Sequence, residues 1–229
     1  MKEILNSLLE AYKLIISFDK EIYGIIILSL MVTIMSTVIS AVLAVPSGIL
    51  ISSKEFKGKS ILVRLISTFM GFPPVVAGLV VYLLLSRKGP LGRLELLFTP
   101  SAMVIAQVVI VVPIITGLTI GAVKLKVGPV QETCRGLGIG STKTLAMLFH
   151  ECRYPIISAI IAGYGRAISE VGAIMLVGGN IQYNTRVMTT AIVLETGKGN
   201  YDKALALGAI LLAISFIINW MIQYIQEGI

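Results

Sequence analysis

Residues 22–53, IYGIIILSLMVTIMSTVISAVLAVPSGILISS, run for 32 positions between Glu21 and Lys54 without a charged side chain. Roughly 20 apolar residues in an α-helix suffice to cross about 30 Å of hydrocarbon. Three further stretches are equally free of charge: 65–86, 96–123 and 204–226. A fifth, 154–178, is as apolar except for Arg166 and Glu170. Inside lipid every backbone polar group must be paired within the chain, so these segments are expected as helices. Composition agrees. Only 14% of the 229 residues are charged, against about 25% in soluble domains, too few to coat a soluble surface of this size.

The formal net charge of +7 then reads as Lys and Arg flanking membrane helices. No basic-aromatic patch argues for nucleic acid. Cys134 and Cys152 are the two cysteines and His150 the one histidine, a spacing that makes no convincing metal site. Both thiols are expected to be free. Residues 1–21 mix Glu3, Glu10, Lys13 and Asp19 with apolar residues, a pattern expected of an interfacial helix rather than a cleavable signal peptide. The expected fold is therefore all-α. An interfacial helix over 1–21 leads into a polytopic bundle of five membrane helices over 22–229.

Two spans are interrupted by proline. Pro46 lies late in the first, and Pro73 and Pro74 divide the second at GFPPVVAG. Proline removes a helical hydrogen bond, so kinks or breaks are expected there. Broken helices in transporters often line the substrate path, though they also simply shape a bundle. Small residues recur at helical spacing: Gly117 with Gly121, Ala159 with Gly163 and Ala167, and Gly165 with Ser169 and Ala173. Such stripes let helices approach closely where lipid supplies no hydrophobic drive.

Charge does not orient the chain. With the first and third loops and the C-terminus on one side, nine Lys and Arg fall on each face. The third loop, about 124–153, settles the matter. It reads Gln131-Glu132-Thr133-Cys134-Arg135-Gly136-Leu137-Gly138, a glutamate, two small residues, three variable ones and a glycine. This resembles the cytoplasmic EAA signature of ABC importer permeases, with Glu132, Thr133, Cys134 and Gly138 at its positions. The likeness continues in VPSGILISSKEFKGKS with GFPPVVAG and in GYGRAISEVGAIMLVGGNI, which resemble the molybdate and tungstate branch. TRVMTTAIVLETGKGNYDKALALG is most similar to tungstate-type permeases. The resemblance covers about residue 25 to the C-terminus.

This resemblance implies a type I importer permease in the cytoplasmic membrane of a prokaryote, its N-terminus outside and its C-terminus in the cytoplasm. The EAA-like segment would be a short helix docked on the ATPase, ended by Gly138. Implied partners are a second copy of the chain, two ATP-binding-cassette subunits and an extracytoplasmic binding protein. Tungstate would be the cargo, with molybdate the near alternative and sulfate a more distant one. ATP and magnesium would belong to the ATPase, with no cofactor in this chain.

The residues of the chain support no chemistry of its own. GLGIGSTK at 136–143 is glycine-rich, but its Ser and Thr precede the Lys and no strand leads into it, so it is not a phosphate loop. HECRY lacks the second histidine of a zinc-protease site. An ion-driven secondary transporter usually shows two related halves, and no such repeat occurs. Within the membrane, Arg166 and Glu170 stand four apart, expected on one helical face. A charge at mid-membrane costs on the order of 2.5–3.5 kcal/mol on insertion scales, so the pair is expected to face protein or water. It either gives an anion path its positive potential or locks the bundle. Ser169, Asn180 and Thr185 could hydrogen-bond an oxyanion. Asn184, Arg186, Lys198 and Asp202, in the fourth loop, are candidates for docking the binding protein.

Overall fold

The computed structural model describes residues 20–227. Nearly all of the expected interfacial helix therefore lies outside the described residues. Among those described, ten α-helices and no strand are found. In chain order they are α1 (Lys20–Ser53), α2 (Lys59–Met70), α3 (Pro74–Leu85), α4 (Pro100–Lys124), α5 (Val127–Gly136), α6 (Ser141–Glu151), α7 (Arg153–Ile168), α8 (Gly172–Gly178), α9 (Met188–Gly197) and α10 (Tyr201–Glu227). A single 3-10 turn, Gly92–Leu94, lies between α3 and α4.

α1, α4 and the Tyr201–Met221 part of α10 are each long and apolar enough to cross a membrane. Two broken pairs, α2 with α3 and α6 with α7, qualify when each is taken together. The spans thus number three, or up to five, with the expected five as the upper count. The outward faces are apolar, as lipid requires. Ile27, Ile34, Val38 and Val42 are exposed on α1, and Leu212, Phe216 and Trp220 on α10.

Proline acts differently at its several positions. Pro46 and Pro113 sit inside helices that continue through them. At 71–74 the chain breaks as expected. Gly71 caps α2, Pro73 is extended at φ −61°, and Pro74 opens α3 at a position whose N–H would have no helical partner. The Pro73 carbonyl accepts the N–H groups of Val76 and Ala77.

The described chain divides into two compact units. The first joins the start of α1 with α3, the start of α4 and everything from Ala167 onward. Its core gathers Ile22 and Ile25 of α1, Met188 and Ala191 of α9, and Ala206, Leu207 and Ile210 of α10. Ser29 ties α1 to α9, because its hydroxyl accepts the Met188 N–H at 2.8 Å. α3 meets α8 at Gly78, where even a Cβ would come within 2.5 Å of the Ala173 Cα.

The second unit joins Ser36–Phe72 with Val108–Arg166. Ala44, Ile49, Val111, Ile115, Ile156 and Ala159 are buried in it. Gly48 lies against Thr119, and Gly163 against Ile115 and Val111. Gly163 makes the close approach expected of its small-residue stripe, while Gly48 was not among the expected ones. Gly117 is covered by the Met70 side chain, whereas Gly121 has open space around it. Cys134 and Cys152 are both buried and free.

The fifth apolar segment is not one helix. α7 ends at Ile168, and α8 begins only at Gly172. Gly165, Ser169 and Ala173 therefore do not form a single helical stripe. Glu170 lies past the end of α7, so it and Arg166 do not belong to one helix. The cause is local. The buried Glu170 carboxylate accepts the Ala173 N–H at 3.1 Å, satisfying a donor at the start of α8. The Thr189 hydroxyl donates to the Glu170 carbonyl at 2.9 Å. A new helix start is stabilised in place of continuation.

Candidate functional site: a docking helix and a broken span

α5 contains the EAA-like residues and is built to be held from one side and presented on the other. Cys134 faces inward, 1% exposed, with its sulfur 3.5 Å from the Met147 sulfur of α6. The small residue at 134 thus lets α5 seat closely on its own unit. Gln131 donates to the Ser53 carbonyl at 2.7 Å, pairing one of the orphan acceptors that end α1. The Ser52 hydroxyl bonds the Ile120 carbonyl of α4 at 3.0 Å. α5 is thus bonded to the end of α1, which is itself bonded to α4.

The other face of α5 is open. Glu132, Thr133, Arg135 and Gly136 are exposed, and Leu137 just beyond the helix is 69% exposed. Gly138 ends the helix as expected. Its φ is +65°, its N–H bonds the Arg135 carbonyl, and the next N–H, of Ile139, bonds the Cys134 carbonyl. These are the two bonds of a Schellman stop, with glycine at its left-handed position. Beside α5, an open cleft of about 360 Å³ is lined by Lys54, Gln131, Arg135, Ser141 and Thr142. Its two cations suit a carboxylate partner. Leu137 and Gln131 were not singled out by sequence reasoning. A leucine between two glycines in a polar loop was the available signal for the first.

The loop after α8 shows which of the fourth-loop candidates remain accessible. Arg186 donates to Glu21 at 3.1 Å, with the arginine side chain only 15% exposed. Gln182 donates to the same carboxylate. Arg186 therefore ties this loop to the start of α1. Thr185 is wholly buried; its hydroxyl donates to the Gly178 carbonyl and accepts the Ile181 N–H, leaving nothing for an oxyanion. Asn184 and Asp202 are exposed. Lys198 pairs with Glu195 at 2.9 Å.

Glu195 is a buried carboxylate at the end of α9, a helix of ten residues that is too short to cross a membrane. α9 packs on α10. The hydrogen bond from Asn200, then that from Lys198, holds the Glu195 carboxyl below its ordinary value against the opposing effect of burial. A depressed native pKa means stability that is present above the ordinary value and lost as pH falls through the native one. Glu195→Gln is expected to cost about 1–3 kcal/mol near neutral pH. The deficit should shrink as pH drops below 4.5, the ordinary value. Thermal melts of both proteins across that range check this; a deficit independent of pH would refute it.

A helical membrane chain whose longest polar loop folds into an anchored, exposed helix has the build of a transport permease. Comparisons with known proteins agree. The tungstate uptake system permease protein TupB of Peptoclostridium acidaminophilum is 40% identical over 99% of this chain and 100% of its own length. A probable anion ABC transporter permease protein of Haloferax volcanii is 44% identical over 83% of this chain and 84% of its own length. TupB of Campylobacter jejuni is 35% identical, covering 76% and 72% respectively. No protein-family model matches the chain. The chain belongs to the ABC transporter permease family that includes the tungstate uptake permeases, and it is a transport subunit rather than an enzyme.

Proposed function

We propose that the chain forms the membrane path of an ATP-driven tungstate importer, working as a homodimer by alternating access. The carrying observation is α5, anchored to α1 and ended by Gly138 so that Glu132 and Leu137 face outward. Two ATPase subunits would close on ATP, draw the two α5 helices together, and rock the attached helices. With the N-terminus outside, as the family resemblance implies, α5 would lie in the cytoplasm and the loop between α3 and α4 outside. An extracytoplasmic binding protein would deliver the anion and supply most of the selectivity. Molybdate has the same charge and nearly the same size, and remains the alternative cargo.

One face of α7 supports the path. Ser158 and Ala162 are exposed on it, followed by the partly exposed Gly165 and Arg166. A face of small and polar residues with an arginine is poorly suited to lipid. It suits a water-filled path or a second copy of the chain. Arg166 would contribute positive potential to that path. Arg166→Met is expected to reduce uptake roughly tenfold or more while the complex still assembles. Loss of assembly instead would give Arg166 a structural role.

The reading as a whole is tested by reconstituting permease, ATPase and binding protein in vesicles. ATP-dependent uptake should require all three and favour tungstate. Titrating the binding protein with both anions separates the two cargoes. An equal rate of uptake without ATPase would overturn the proposal.

A further inference from the structure

The segment GLGIGSTK at 136–143 is not a phosphate loop by sequence, but the fold brings its end beside two cations. The open cleft of about 360 Å³ next to α5 is lined wholly by residues of the second unit. Its charged lining is Lys54, just past the end of α1, and Arg135, in the last turn of α5. No acidic residue is among its described lining. Both cations are exposed, and among the described residues neither side chain has a carboxylate or hydrogen-bond partner. Glu55, next in sequence to Lys54, is taken by Lys59 at 2.8 Å. A lining with positive charge alone selects an anion.

Neutral donors stand around the two cations. Ser141, Thr142 and Thr144 line the same cleft. Helical bonding in α6 begins with the Thr144 N–H on the Gly140 carbonyl. The N–H groups of Ser141, Thr142 and Lys143 therefore lack helical partners, and no side chain caps them. A carboxylate could satisfy the cations with its two oxygens. A phosphate has further oxygens for the hydroxyl and N–H donors. Position narrows its source. Lys54 is the first charge after the 32 uncharged residues of α1, so the cleft lies at the end where that span leaves the bilayer. Ile139 and Leu145 give it an apolar wall. Basic pockets at such a boundary suit anionic headgroups.

We propose that this cleft binds the phosphate of an anionic phospholipid, with Lys54 and Arg135 on its oxygens and the start of α6 donating to the rest. One lipid would then bridge α1, α5 and α6 beside the bond from Gln131 to the Ser53 carbonyl. The site depends neither on the cargo nor on the direction of transport.

The test uses the full-length permease with its ATPase in uncharged maltoside detergent, with lipid retention read by native mass spectrometry. Dioleoylphosphatidylglycerol should be retained well above dioleoylphosphatidylcholine. Lys54→Gln and Arg135→Gln should each weaken that retention about fivefold, and the two together roughly thirtyfold. Lys57→Gln, exposed in the same loop but outside the cleft lining, should retain the lipid as the parent does. Inorganic phosphate at equal concentration should not displace the lipid; displacement would assign the cleft to a free anion and overturn the lipid site. Equal retention of the two lipids, or unchanged retention in both single variants, would also overturn it. So would loss of the ATPase from Arg135→Gln while Lys54→Gln retains lipid as the parent does, which would make the cleft a protein contact. Lys54→Gln, beyond the end of α1, carries the test should Arg135→Gln fail to assemble.

Discussion

Gly138→Val is expected to reduce ATP-driven uptake by roughly tenfold to a hundredfold, the range typical of lost coupling between sites, while the permease still reaches the membrane. The argument is one of backbone, not space. A Cβ at this glycine would meet nothing within 4 Å, but φ is +65°. An ordinary side chain pays about 1–2 kcal/mol in that region, and a β-branched one more. The stop at the end of α5 would unwind, and Leu137 would lose its outward position. Asparagine tolerates the same backbone, so Gly138→Asn should keep most of the activity. Glu132→Ala, at an exposed site, should impair uptake without altering the melting temperature. Uptake and uptake-linked ATP turnover measured in vesicles decide this. Full activity in Gly138→Val and in Glu132→Ala together would remove α5 from the coupling role.

The features legible in the sequence are those set by local rules. Charge-free stretches marked the long helices because lipid tolerates few alternatives. Pro73 and Pro74 marked the break between α2 and α3, and Gly138 marked the end of α5. What escaped was set by particular side-chain contacts that composition and spacing do not reveal. The break after Ile168 contains no proline, and its Arg166–Glu170 spacing is that of a helix. It depends on the Glu170 carboxylate at Ala173 and on Thr189 reaching back to the Glu170 carbonyl. Arg186 was read as a surface residue, but its partner Glu21 lies 165 residues away. Cys134 matched the small-residue position of a signature, while only the fold reveals that it faces Met147. For the candidate site, the segment was readable and its inward and outward faces were not.

Gly78→Val should have the largest effect on the fold of the first unit. At Gly78 a Cβ would lie 2.5 Å from the Ala173 Cα and 3.2 Å from the Ala173 carbonyl oxygen. Those are backbone atoms of α8 and cannot rotate away. Overpacking of this kind costs typically 1–3 kcal/mol, and the extra methyls of valine place the expectation at or above the upper end. For a chain of this size that corresponds to a fall in Tm of roughly 5–10 °C. In lipid no hydrophobic force presses parted helices together again, so α3 and α8 should separate rather than adjust. Gly163→Ala should be milder, because its Cβ would meet only the side chains of Ile115 and Val111. Gly121→Ala should leave packing within the second unit unchanged, since nothing lies within 4 Å. A double variant tests the geometry directly. Ala173→Gly removes the Cβ 3.0 Å away but leaves the Cα at 2.5 Å, so it should restore Gly78→Ala only in part. Full rescue, or equal losses at Gly78 and Gly121, would mean that close approach of α3 and α8 does not determine the stability of this unit.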